Sequence, residues 1–98
     1  MVRIYDAEFA NDGTEHWHLG KFWWDDGEKR GTWDRDAAHD FVERYPEHTY
    51  VSEAGYKVYV YPRTTTKGTK YIQTKADGTY KDNLTELARR RAAGYANV

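Results

Sequence analysis

The 98-residue chain has no cysteine, one methionine and two prolines, and no stretch approaches the ~20 apolar residues needed to cross a bilayer. The absence of cysteine excludes disulfide staples and thiolate metal sites and fits a reducing compartment. A chain of this length can bury enough surface to fold without them. The opening residues Met1-Val2-Arg3-Ile4-Tyr5-Asp6 lack the apolar segment of a secretory leader. These absences predict a cytoplasmic protein that does not associate with a membrane. They also predict one domain over residues 1–98, with its core in 2–88 and a C-terminal helix and tail in 83–98.

Aromatic residues and charge are abundant: 16% of residues are aromatic, including nine tyrosines and four tryptophans, and 32% are charged. The net charge is only −1, yet residues 1–55 hold 13 acidic and 6 basic side chains whereas residues 56–98 hold 3 acidic and 9 basic. This polarity predicts a basic partner face in the second half, unless the two halves neutralise each other on packing.

Alternation over residues 2–9 predicts a first strand, with Val2 and Ile4 on one side and Arg3, Tyr5, Ala7 and Phe9 on the other. After the Asn11-Asp12-Gly13 turn, residues 15–24 form a central second strand with His16, His18, Phe22 and Trp24 on one face. Residues 25–31 are polar and punctuated by glycine, the pattern of a mobile loop. Asp34 then caps a helix over 35–45 that Pro46 stops, with Ala38, Phe41, Val42 and Tyr45 facing the sheet and His39, Asp40, Glu43 and Arg44 facing solvent. Strands over 49–52 and 56–61 follow, joined by Glu53-Ala54-Gly55, and Pro62 ends the second. A basic, threonine-rich loop leads to the strand over 70–74 and the Asp77-Gly78 turn. Asp82 or Asn83 then caps a helix with Leu84, Leu87, Ala88 and Ala92 at helical spacing. The order β-β-α-β-β-β plus a C-terminal helix predicts an α+β fold, a small, mostly antiparallel sheet with one central helix packed on one face.

The order Tyr-Ile-x-Thr-x-x-Asp-Gly followed by Asn-Leu is carried by Tyr71, Ile72, Thr74, Asp77, Gly78, Asn83 and Leu84. It resembles the C-terminal signature of a family of small bacterial and phage-borne proteins, domain of unknown function 3892. The aromatic run from His16 to Trp24, the Asp34-Arg35-Asp36-Ala37 helix start and the Tyr50-Val51 strand are similar too. In that family a proline commonly follows the Asn-Leu step, whereas here Thr85, Glu86 and Leu87 continue into Ala88 and Arg89. The resemblance spans roughly residues 2–87 and implies a fold, with no established activity.

Tyrosines interleaved with cations give the first candidate site. Lys57, Tyr59 and Tyr61 share one side of their strand, Arg3 and Tyr5 one side of theirs, and Tyr71, Gln73 and Lys75 one side of the last. Placed on one sheet face, Tyr5, Trp24, Lys57, Tyr59, Tyr61 and Tyr71, aided by the loop over 25–31, would bind a protein partner, the favoured reading. The alternative is nucleic acid, bound by this face through Arg63, Lys67, Lys70, Lys75, Arg89, Arg90 and Arg91. A tyrosine-rich sheet face is also ordinary strand packing. Similarly, the arginine run just before Gly94 complements a helix dipole without any ligand.

His16-x-His18 on a strand would set two imidazoles about 7 Å apart, but no third ligand has diagnostic spacing, so no metal is assigned. Asp25-Asp26 lies in a solvated loop, where carboxylates keep ordinary pKa values. With no nucleophile elbow, phosphate-cradling loop or His-Glu-x-x-His element in the chain, no catalytic residue and no cofactor is assigned. The sequence therefore predicts a non-enzymatic binding module.

Overall fold

In the computed structural model, which describes residues 1–97, the alternating N-terminal segment forms strand β1 (Val2–Phe9). A 3₁₀ turn (His16–His18) leads into β2 (Leu19–Asp25) and β3 (Arg30–Asp34), followed by helix α1 (Arg35–Arg44). Strands β4 (Thr49–Glu53), β5 (Tyr56–Thr64), β6 (Lys70–Ala76) and β7 (Thr79–Lys81) precede helix α2 (Asn83–Ala92). The strands make one seven-stranded sheet in the order β3-β2-β1-β4-β5-β6-β7. Among the described residues only β1 and β4 pair in parallel, and the long connection through β2, β3 and α1 allows it. The fold is the expected α+β class, mostly antiparallel, with a central and a C-terminal helix. Neither helix is long and apolar enough to cross a membrane.

Ile4, Leu19, Phe22, Val42, Val51, Val60, Ile72, Leu84 and Leu87 belong to one buried cluster, to which both helices contribute. α1 packs on β5 and β6 and reaches β2 and β3, while α2 lies chiefly against β1. Asp34 caps α1 as expected, its Oδ1 accepting from the Ala37 N–H at 2.8 Å. Phe41 is only half buried and Tyr45 is exposed. They end a row of rings, Trp24, Trp33, Phe41, Tyr45, with successive centroids 5.5, 4.8 and 4.9 Å apart. His39, expected to face solvent, is instead buried with Ala38 and Val42. The helix stripe is thus rotated toward Ala38 and His39 and away from Tyr45.

Four further departures have local causes. The pairing of Ile4 with Trp24 and Asp6 with Trp23 leaves Tyr5 in a bulge, so Ala7 returns to the core face opposite Phe22 rather than following Tyr5. The expected strand over 15–24 starts only at Leu19, because the Thr14 and Glu15 N–H groups donate to His18 Nδ1, both at 3.1 Å, and fold the chain into a turn. The loop expected over 25–31 is shortened to the exposed residues 26–29. Asp25 and Arg30 close the β2–β3 hairpin as a cross-strand pair, and Asp25 Oδ1 and Asp26 Oδ1 accept the N–H groups of Gly27, Glu28 and Lys29. Gly31 is needed there, since a Cβ at that position would lie 2.5 Å from the Trp24 indole. Finally, β5 runs through Pro62, which pairs with Ile72. β4 accompanies β5 only as far as Tyr59, so beyond it the outer side of β5 is an edge, where a proline is tolerated.

The charge polarity of the sequence becomes spatial in this topology. The acidic first half supplies β1 to β4 at one side of the sheet, and the basic second half supplies β5 to β7 at the other. α2, from the basic half, packs back on β1. Its Arg91 bonds Asp6 Oδ2 at 2.6 Å and Glu8 Oε2 at 3.3 Å and lies 4.0 Å from the Trp23 ring.

Candidate functional site, a tyrosine and cation face

Residues paired directly across antiparallel strands project from the same face of the sheet. Tyr50 pairs with Tyr59 and Ser52 with Lys57; Tyr59 also pairs with Lys75, Tyr61 with Gln73 and Arg63 with Tyr71; Lys75 pairs with Tyr80. One face of β4 to β7 therefore collects Tyr50, Tyr59, Tyr61, Tyr71 and Tyr80 with Lys57, Arg63 and Lys75, and none of these paired positions is acidic.

The cations lie against the rings. Lys57 Nζ is 4.8 Å from the Tyr50 centroid, Lys75 Nζ is 5.8 Å from Tyr61 and 5.1 Å from Tyr80, and Arg63 Cζ is 3.9 Å from Tyr80 and 5.7 Å from Tyr71. Arg63 is also fixed by donating to Gln73 Oε1 at 2.9 Å, and Gln73 Nε2 donates to the Lys81 carbonyl at 3.2 Å. Burial, with the nearby Glu47 and Tyr59, pushes the Tyr61 phenol above its ordinary value. Tyr71 and Gln73 are buried and form the floor of this surface, whereas Lys57 and Tyr80 are exposed at its edge.

The proposed protein-binding set is thus partly assembled. Lys57, Tyr59, Tyr61 and Tyr71 come together. Tyr5 lies on β1 under the Arg30 guanidinium, 5.3 Å from its Cζ, and Trp24 points to the opposite face, against Trp33. Of the basic set, Arg63 and Lys75 belong to the face and Lys67 lies in the β5–β6 turn. Lys70 pairs with Thr64, one position out of phase with Arg63, and so projects the other way. Arg90 pairs with Glu86 at 3.8 Å and Arg91 with Asp6, so these two tie α2 internally and to β1. Arg89 is exposed. Tyr50 and Tyr80 join the face without a sequence signal: the first lies second in a five-residue strand, and the second sits on β7, a three-residue strand too brief to show alternation.

The histidines do not share a strand face. His18 Nδ1 is occupied as an acceptor, and His16 Nε2 lies 3.9 Å from Asp82 Oδ1. Among the described residues no group of three or more His, Cys, Asp or Glu could hold a metal ion. Asp26, expected to keep an ordinary pKa, is held below it by the Lys29 and Glu28 N–H groups.

The C-terminal motif residues also converge. Asp77 and Gly78 have φ of 53° and 75°, the left-handed pair of a two-residue hairpin between β6 and β7. Asp82 stands at the N-cap of α2 without a side-chain cap bond; Asn83 instead turns its side chain back to Thr74 of β6. Leu84 is fully buried.

No curated protein and no solved structure matches the chain. A family model described as Protein of unknown function (DUF3892) matches residues 18–88. That span takes in β2 to β7, α1 and the buried first half of α2, so the chain belongs to the DUF3892 family.

Proposed function

We propose that the protein is a non-enzymatic, cytoplasmic binding module of bacterial or phage origin that holds a single-stranded nucleic acid across the β4–β7 face. Charge sorting carries the reading: tyrosines alternate with Lys57, Arg63 and Lys75, and no paired position on the face is acidic. Aromatic rings stack bases of any identity while neighbouring cations neutralise phosphates, so the two residue types have to be interleaved at this spacing. Cytoplasmic residence is supported by the lack of cysteine, and the origin by the family resemblance. The protein-partner reading draws on Trp24 and residues 25–31 as well as the tyrosines, and those lie apart from this face.

The test is fluorescence anisotropy of labelled single-stranded and duplex oligonucleotides at low and physiological salt. Single strands should bind more tightly than duplexes, and three engaged cations should give a log–log salt slope of about −2. The exposed-edge variant Lys57→Ala/Tyr80→Ala should weaken binding about tenfold or more with little effect on folding. Absence of binding at low salt would overturn the reading and turn the search to an acidic protein partner.

A further inference from the structure

A cleft of about 520 Å³ lies beside the tyrosine face, between the 3₁₀ turn and the β5–β6 turn. Trp17 forms one wall. The residue is 37% exposed, its ring stands edge-on to Tyr71 at 6.0 Å, and its carbonyl accepts from Arg35 at 2.8 Å, which fixes the turn that presents it. The opposite wall is the threonine-rich turn, held by Gly68 and Thr69 N–H bonds to the Thr65 carbonyl and Thr65 Oγ1 at 2.9 and 3.0 Å. Arg63 and Lys67 bring positive charge to the same cleft, and among the described residues no Asp or Glu lines it. Arg63 belongs to both the cleft and the tyrosine face, so the two are continuous.

We propose that this cleft is a nucleotide subsite: an aromatic base stacks on Trp17 while Arg63, Lys67 and the threonine hydroxyls hold the phosphate. A ligand must carry both a flat ring and an anion to use both walls, which describes a nucleoside monophosphate or the terminal phosphorylated nucleotide of a strand. The proposal rests on the nucleic-acid reading for its polymeric form, and it makes the protein sensitive to strand ends.

Two titrations separate the subsite from the face. In the first, nucleoside monophosphates and the matching unphosphorylated nucleosides are titrated by calorimetry into the intact protein and into Trp17→Ala and Lys67→Ala. The monophosphate should bind, the nucleoside should bind at least about tenfold more weakly, and each substitution should weaken the monophosphate about tenfold. Lys67 is exposed in a turn, so its variant keeps the test decisive if Trp17→Ala misfolds. In the second, otherwise identical oligonucleotides with and without a 5′ or 3′ terminal phosphate are compared. A preference for one phosphorylated end that disappears in Lys67→Ala supports the subsite. Equal binding of all strands overturns it and leaves the face standing. Failure of the monophosphate to bind at millimolar concentration also overturns it.

Discussion

Thr74 Oγ1, fully buried on β6, donates to Asn83 Oδ1 at 2.8 Å, and Asn83 Nδ2 donates in turn to Glu53 Oε2 at 3.2 Å. The chain of bonds ties the middle of β6 to the first residue of α2 and to the end of β4. It fixes where α2 starts, just before Leu84 enters the core. Thr74→Val keeps the shape and removes the donor, so it should cost about 1–2 kcal/mol in urea unfolding, as should Asn83→Ala. If the bond couples them, the double variant loses less than the sum of the two; strict additivity would show that it contributes nothing.

The hairpin turns make a second prediction. Gly78 has a φ of 75°, and nothing lies within 4 Å of where its Cβ would be, so Gly78→Val suffers from backbone conformation alone. The expected loss is about 1–2 kcal/mol. Ala54, at φ 49° in the β4–β5 turn, is the opposite case: Ala54→Asn should gain about 0.5 kcal/mol, because asparagine tolerates the left-handed region that alanine resists. An unchanged melting temperature for either variant would contradict the turn geometry.

Phe22 and Phe41 should separate sharply. Phe22 is 1% exposed inside the main cluster, and Phe22→Ala should cost about 3–5 kcal/mol, a large part of the stability of a domain this size. Phe41 belongs to the half-buried ring row against Trp33 and Tyr45, and Phe41→Ala should cost about 1–3 kcal/mol. Chemical denaturation gives the ranking, and the reverse order would mean that the core lies under Phe41.

Acid should weaken the fold through His16. Burial holds its imidazole below the ordinary value of 6.5, outweighing Asp82, the Lys81 backbone and Glu15, which act to raise it. Between the lowered folded value and 6.5 the unfolded chain binds more protons, so stability falls as pH drops below about 6.5. Denaturation midpoints at stepped pH should show that slope in the intact protein and a flatter one in His16→Phe. Parallel slopes would remove His16 as the cause.

Where local chemistry is strong, the fold was legible. The Asp34 cap, the alternation of β5 from Lys57 to Tyr61 and the Asp77-Gly78 turn are short-range signals, because a cap or a left-handed pair acts within a few residues. The segment around His16 reads as strand from its aromatic alternation, yet the bonds to His18 Nδ1 fold it into a turn. β3 and β7 are only five and three residues long and form because a neighbouring strand pairs with them. His39 looks like a surface residue by composition and is buried because α1 leans on β5 and β6.

By itself the sequence determined that this is a cysteine-free α+β chain, that its charge is split between two halves, and that Lys57, Tyr59 and Tyr61 share one side of a strand. Side-chain period and turn chemistry are local properties and need no partner. Only the tertiary structure decided which strands meet: that β4, β5, β6 and β7 lie side by side, so that Tyr50 and Tyr80 join the tyrosine face, while Trp24 is turned away and Arg91 is committed to Asp6. Those outcomes depend on register and on how both helices cover the core, which are set by contacts between residues far apart in the chain.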